Sequence, residues 1–164
     1  MRALKLGAMP ASRVMMDEQR LRQILYNLIS NALKFTKDGS VTVRAATHKK
    51  DTGESWLQFD VEDTGVGIEP DEQLHVFDRF YTQERSYDRF ASGAGLGLSI
   101  CKQLVEMMGG EITLKSAPAK GSVFSVSVPF KPDLAPADSH SVTTPSLDAS
   151  PLRDVEILLV EDNE

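Results

Sequence analysis

Only one cysteine, Cys101, occurs in 164 residues, so the chain can form no disulfide within itself. It lies on the apolar side of a helical pattern and reads as a small core residue. The three histidines, His48, His75 and His140, stand far apart in sequence, which leaves no case for a zinc site. No apolar run approaches the length of a membrane span, and no signal-peptide pattern opens the sequence. There is no G-x-x-x-x-G-K-[ST], and no strand leads directly into a G-x-G-x-x-G, so neither a P-loop nor a dinucleotide fold is indicated. The net charge of −6 is unevenly spread. Residues 1–131 hold 17 basic and 16 acidic side chains, whereas residues 132–164 hold one and eight. The larger part therefore carries no electrostatic footprint for nucleic acid or an anionic membrane. At 164 residues and 41% hydrophobic, the chain has material for one sizeable core.

What the chain does have is concentrated in three segments. In the run NLISNALKF, Asn27, Asn31 and Lys34 recur at i, i+4 and i+7, which puts two carboxamides and an ammonium on one helix face. Leu21, Ile24, Leu25, Leu28, Ile29 and Ala32 supply the opposing apolar stripe. A solvated face would serve as well with Glu, Lys or Gln, and Asn is a mediocre helix former away from caps. A carboxamide oxygen suits Mg2+ and a nearby lysine suits phosphate, so the face reads as built for a metal-bound polyphosphate.

The second segment, WLQFDVED at 56–63, alternates Leu57, Phe59 and Val61 on one side and reads as a half-buried strand. It delivers Asp63 into Thr64-Gly65-Val66-Gly67-Ile68. Such a carboxylate can accept the exocyclic N–H of adenine, where guanine presents a repelling acceptor. In the third, Gly93-Ala94-Gly95-Leu96-Gly97 opens an apolar-periodic helix over about Leu98 to Met108, with Gly109 at its stop. Glycines feeding a helix N-terminus make an anion site.

Elsewhere, strands are expected near Leu4–Met9, Val14–Met16 and Val41–Thr47, with Asp17 as an N-cap and Asp51–Glu54 as a turn. Pro70 suits the first turn of a short helix reaching Phe77. The polar stretch Asp78–Ser92, with Arg79, Arg85 and Arg89, reads as a loop. Glu111–Ala117 and Ser122–Phe130 read as a hairpin.

In this order, the segments resemble a known family. RLRQILYNLISNALKFT looks like the N box of the sensor histidine kinase catalytic domain, VEDTGVGIEP like its G1 box, VFDRF like its F box and GAGLGLSICKQLVEMMGG like its G2 box. The resemblance covers about Arg13 to Phe130. It implies an α/β two-layer sandwich of the Bergerat type, a mixed sheet packed against helices, with ATP under a flexible lid formed by 78–92. By position, Asn31 resembles the Mg2+ ligand, and Asn27 and Lys34 the phosphate contacts that would serve catalysis. Phe35 stands where the family packs an aromatic near adenine, and Asp63 where it reads adenine. Gly65 and Gly67 resemble the close-approach glycines, with Ile68 beside them. Gly93, Gly95 and Gly97 resemble the lid hinge and phosphate cradle, with Leu96 among them. Ser92 and Ala94 depart from the common G-G-T-G-L-G-L form, and Ala94 lacks the usual hydroxyl. ATP-hydrolysing relatives usually carry a Glu at position 27 to activate water. A carboxamide cannot accept a proton near neutral pH, which favours a kinase.

Such a kinase phosphorylates a histidine on a separate helical hairpin. His48, His75 and His140 all lack that setting, so residues 1–131 are expected to be a catalytic domain whose phosphoacceptor lies elsewhere. Residues 132–153 hold four of the eight prolines and four serines and read as a linker. Val155–Val160, ending in Glu161-Asp162, resembles the first strand of a receiver domain, so residues 154–164 are expected to begin one. The expected parent is a hybrid kinase, with its own dimerisation and receiver domains and a response regulator or phosphotransfer protein as partners. Its catalytic domain is expected in the cytoplasm, with the parent anchored in the inner membrane. A degenerate nucleotide-binding module, or a serine kinase of the same superfamily, stays open as an alternative.

Overall fold

The computed structural model describes residues 2–6, 14–82 and 95–132. Gly93, most of the expected lid and residues 133–164, which hold nearly all of the expected linker and the whole of the receiver strand, lie outside the described residues.

Strands β1 (Arg2–Leu6) and β2 (Val14–Met15) precede helix α1 (Glu18–Phe35). The Asp17 side chain caps α1 by accepting the Arg20 N–H at 3.1 Å, as its side chain and position predict. Strands β3 (Gly39–Lys49) and β4 (Ser55–Asp63) form an antiparallel pair, with Val43 opposite Val61. Helix α2 is Pro70–Gln73 and α3 is Gly97–Met107. Strands β5 (Glu111–Ala117) and β6 (Gly121–Pro132) complete the fold.

Several elements differ from the sequence reading, among them β3, which runs two residues beyond the expected Val41–Thr47 at each end. The first strand is described over Arg2–Leu6, beginning before the expected Leu4, and lies parallel to β3 with Leu4 beside Val41, while residues 7–9 of the expected span lie outside the described residues. The next strand stops at Met15, one residue short of the expected span. The helix after Pro70 stops at Gln73. Beyond it His75 N–H reaches Glu72 and Asp78 N–H reaches His75, so Leu74–Phe77 are turns. Strand β6 continues past Phe130 because Val14 and Met15 pair with Pro132 and Lys131.

The sheet order is β1-β3-β4-β6-β2, with β5 also on β6. Because β1 is parallel to β3 and the other pairs are antiparallel, the sheet is mixed. Alternation along β3, β4 and β6 turns Val41 and Val43, Phe59 and Val61, and Phe124 and Val126 to one face. Ile24, Leu28 and Ala32 of α1, with Cys101 and Val105 of α3, close the core over them, giving two layers. Cys101 Sγ lies 3.7 Å from the Ile24 carbonyl, and the Gly97 end of α3 faces Asn27 and Asn31, so the two helices run antiparallel. Burial pushes the Cys101 thiol up to about 11, offset in part by the Asn27 carboxamide, as befits a core residue. No described helix is long and apolar enough to cross a membrane.

Candidate functional site

Period-two alternation in β4 carries Asp63 onto the same inner face as Phe59 and Val61, where it is 6% exposed. A carboxylate there needs donors. Its Oδ1 accepts the Gly65 N–H at 2.7 Å, and it also receives the backbone N–H and hydroxyl of Ser122, its cross-strand partner. Burial raises the Asp63 carboxyl above the ordinary carboxylate range, the Gly65 and Ser122 hydrogen bonds pull it down, and Glu62 adds a small push upward.

Asp63 lies at the buried end of a cavity of about 290 Å³ between the helices and strands β4 and β6. Phe35, Ile68, Val76 and Phe124 give it apolar walls. Such a mostly apolar cleft with a few convergent polar groups is what a small organic ligand requires. Toward solvent it is lined by Asn31 and Lys34 of α1 and by Gly95, Leu96 and Gly97 at the start of α3. A Cβ on Gly97 would stand 3.9 Å from Asn27 Cγ and 4.0 Å from Asn31 Nδ2, so the two carboxamides and the α3 N-terminus face one another. The N-cap position of α3, Leu96, offers no side-chain cap. Its first N–H groups are left to a ligand or to water.

The structure thus assembles Asn31, Lys34, Phe35, Asp63, Gly67, Ile68, Gly95, Leu96 and Gly97 around one cavity. Asn27 stands beside it against Gly97 and is not part of its lining. Gly65 is likewise behind the wall: a Cβ there would lie 2.4 Å from the Phe35 carbonyl oxygen. Gly67, at φ +68°, presses on the protein's own backbone, since its Cβ would lie 2.0 Å from the Ala117 carbonyl oxygen. The close approach at these two glycines is therefore to the last residue of α1 and the last residue of β5, which holds the 64–68 loop between them. Sequence reasoning missed Ser122, Phe124, Val76 and Tyr81, which also line the cavity. The hairpin register sets Ser122 opposite Ser116, whereas its place opposite Asp63 comes from the β4–β6 pairing, which no local signal announces.

Among the described residues no three His, Cys, Asp or Glu side chains come together to hold a metal. Asn31 offers a single carboxamide oxygen at the cavity mouth. That donor set fits Mg2+, which takes few protein ligands and fills its shell with phosphate oxygens and water.

Residues 16–132 match the model of the histidine kinase-, DNA gyrase B- and HSP90-like ATPases. The chain belongs to that family. Within it, the chain is 42% identical over 153 residues to the aerobic respiration control sensor protein ArcB of Escherichia coli K12, an alignment covering 93% of this chain and 19% of ArcB. The chain thus spans about a fifth of that relative's length. Its fold matches full-length ShkA, solved in complex with AMPPNP, at a TM-score of 0.65 and 35% identity over 80% of this chain and 26% of ShkA. It also matches the mycobacterial sensor histidine kinase MprB at 0.63 and 29% identity, over 80% of this chain and 83% of the MprB chain. Among the ATPases of the family, the similarity thus runs to sensor kinases, and the α/β sandwich and an ATP-binding site are family properties of this domain.

Proposed function

We propose that this domain binds Mg2+-ATP in the cavity and transfers its γ-phosphoryl group to a histidine carried by a separate dimerisation domain. The observation that carries the reading is a juxtaposition. A buried acceptor, Asp63, stands at one end of an apolar slot, and two carboxamides, an ammonium and an uncapped helix N-terminus face each other at the other. Asp63 accepts the adenine amino N–H. Phe35 and Ile68 cover the purine faces. Lys34, Asn27 and the N–H groups near Gly97 hold the phosphates, and Gly95 and Gly97 serve as part of the phosphate cradle. Asn31 contributes an oxygen to Mg2+, which neutralises charge on the phosphates.

Asn27 supplies no base for water, which leaves an external imidazole as the nucleophile. Its nitrogen forms a bond to the γ-phosphorus as the bond to the β–γ bridging oxygen breaks, and ADP leaves. The domain's contribution is positioning and electrostatic stabilisation. The phosphoryl group then passes to the receiver domain of the parent, and onward to a response regulator or phosphotransfer protein. Residues 154–164 are read as the start of such a receiver, and an ATP-fed relay of this kind places the domain in the cytoplasm.

Labelled ATP tests the reading. Alone, the chain is expected to hydrolyse ATP only at a trace rate and to leave His48, His75 and His140 unlabelled. Given a histidine-bearing dimerisation hairpin in trans, it is expected to label the hairpin slowly, because tethering and its effective concentration are lost. Brisk hydrolysis would make it an ATPase. Nucleotide binding with no transfer to any hairpin would make it a non-catalytic module.

A further inference from the structure

Ile68 lines the cavity from a loop, and both polar groups of its main chain are held by side chains of other elements. Its N–H donates to the Ser116 hydroxyl oxygen at 2.9 Å, and its carbonyl accepts from Gln73 Nε2 at 2.8 Å. The same Gln73 nitrogen donates to the Ser116 carbonyl at 3.1 Å. The Ser116 hydroxyl is fixed in turn, because it gives its one proton to the Gly121 carbonyl at 2.9 Å. Two residues before Ile68, the Val66 carbonyl accepts the Ala119 N–H at 2.7 Å. Loop 64–68, helix α2 and the β5–β6 turn are thus stitched together.

The chemistry at Gln73 leaves one arrangement. Both groups it meets are carbonyls, which only accept, so its amide must turn the NH2 toward them. Its two N–H groups match the two carbonyls, as neither a carboxylate nor an apolar chain of that length could. Ser116 lies on β5, which pairs with β6 alone among the described strands. Gln73 supplies to its carbonyl the donor that a further strand would otherwise bring.

This clamp acts on a wall of the cavity. Ile68 lines it, and so do Glu72 and Val76 from the stretch around Gln73. Helix α2 cannot hold that wall by itself: it is a single turn of four residues, with no side-chain cap and no fully buried residue. The wall must therefore be placed by long-range bonds. Where a flat base lies between Phe35 and Ile68, the position of Ile68 sets the width of the slot. A gap of about 0.5–1 Å there forfeits a quarter to a half of each atomic contact. The open end is built instead on α1 and the start of α3, and the clamp joins the 64–68 loop, α2 and β5.

We propose that Gln73 is a positioning residue for the base of the nucleotide: with the Ser116 hydroxyl, its carboxamide locks Ile68 against β5 and so sets the width of the slot that takes the purine. The proposal rests on the nucleotide reading of the cavity. It is tested by calorimetric titration of adenosine and of Mg2+-ATP into the wild-type chain and into Gln73→Leu, Gln73→Glu and Gln73→Lys, well below each melting temperature. Leucine removes the donors, glutamate keeps the shape but offers only acceptors, and lysine brings N–H donors back. Ser116→Ala removes the other half of the clamp and carries the test where a Gln73 variant does not fold. Amide hydrogen exchange by NMR follows Ile68, with Val61 in the core as the reference.

Gln73→Leu, Gln73→Glu and Ser116→Ala are expected to weaken adenosine and ATP by one common factor, about fivefold or more, so that the ratio of the two affinities stays that of wild type. Ile68 exchange should quicken in each while Val61 exchange does not. Gln73→Lys is expected to stay within about threefold of wild type for both ligands, because its ammonium can still donate to the two carbonyls. Unchanged affinities alongside faster Ile68 exchange would overturn the proposal, since the clamp would then serve the fold alone. A loss confined to ATP, or one that the lysine variant shares in full, would overturn it as well. A wild-type chain that binds neither adenosine nor ATP would instead remove the reading of the cavity itself, and the proposal with it.

Discussion

Asp63 and Asn31 line opposite ends of one cavity, and the surrounding chain treats them differently. Asp63 is buried and met by Gly65 and Ser122, with Ser116 and Gln73 behind. Asn31 is half-buried, and no partner among the described residues holds its carboxamide; Lys34 beside it is exposed, with its ammonium 5.0 Å from the Phe35 ring. The same contrast separates the glycines. Gly67 is packed into backbone, while a Cβ on Gly97 would meet nothing nearer than 3.9 Å. A fixed end can select a ligand by shape and hydrogen-bond polarity, because its groups are already desolvated and oriented. An open end whose Asn31 carboxamide has no partner among the described residues can accept a ligand there without first breaking an internal hydrogen bond. In the proposed reading the fixed end chooses the nucleotide and the open end changes its contacts as a phosphoryl group leaves.

The sharpest way to break this comparison is to exchange a methyl group between its two ends. Gly67→Ala forces a Cβ to 2.0 Å from the Ala117 carbonyl oxygen at a φ of +68°. The loop must move, and a stability loss of about 2–4 kcal/mol is expected in urea unfolding without any nucleotide. Gly97→Ala, at the first position of α3, is expected to leave stability unchanged or raise it slightly. Its cost should appear only as weaker binding of the triphosphate, with adenosine binding intact. Equal destabilisation by both substitutions would erase the distinction.

Next in size is the removal of the Asp63 charge. Asp63→Asn keeps an oxygen for the Gly65 N–H but confronts the adenine amino group with a choice of amide orientations. A loss of about 1–3 kcal/mol in ATP binding is expected, with the domain still folded. Calorimetry showing equal ATP and GTP affinity for the unaltered chain would refute the role of Asp63 altogether.

A smaller effect is expected at the open end. Asn31→Ala should abolish the Mg2+ enhancement of ATP affinity, about tenfold or 1.4 kcal/mol if the carboxamide is one ligand among several. Metal-free adenosine should bind nearly as before. Equal loss of both would assign Asn31 to the fold and not to the metal.

These contrasts also mark how far the sequence could be read. Local rules sufficed wherever the cause was local: the Asp17 cap, the alternation that buries Phe59 and Val61, the Gly109 stop at φ +72° and the core position of Cys101 all follow from spacing and residue type. Partners distant in sequence were harder to see. Ile68 and Ser116 meet across 48 positions, and nothing in either neighbourhood announces the contact. The same holds for Gly65, whose missing side chain makes room for the Phe35 carbonyl. The helix predicted to reach Phe77 failed for a related reason: Val76 and Phe77 face the core from turns, where tertiary packing overrides propensity. The candidate site itself was legible because its chemistry sits in short runs, whereas the layer that supports it is spread over four elements.

The subtlest prediction concerns pH, and its sign follows from burial. The Asp63 carboxyl titrates above its ordinary value in the folded chain, chiefly because burial penalises its charge. Between the ordinary and the raised value the folded state holds more protons than the unfolded one, so stability must fall as pH rises through that window. The penalty is fully present above the raised value and vanishes below the ordinary one, the reverse of an ion-paired aspartate. It is small because the Gly65 and Ser122 hydrogen bonds oppose it. Asp63→Asn removes the titration, so the difference in unfolding free energy between variant and wild type should drift in the variant's favour as pH rises from 3 to 7. Ordinary surface carboxylates contribute equally to both proteins and cancel in that difference. A drift of the opposite sign would mean that Asp63 is held mainly by its donors. The buried end would then already be electrostatically satisfied without a ligand, and the contrast with Asn31 would be larger than drawn here.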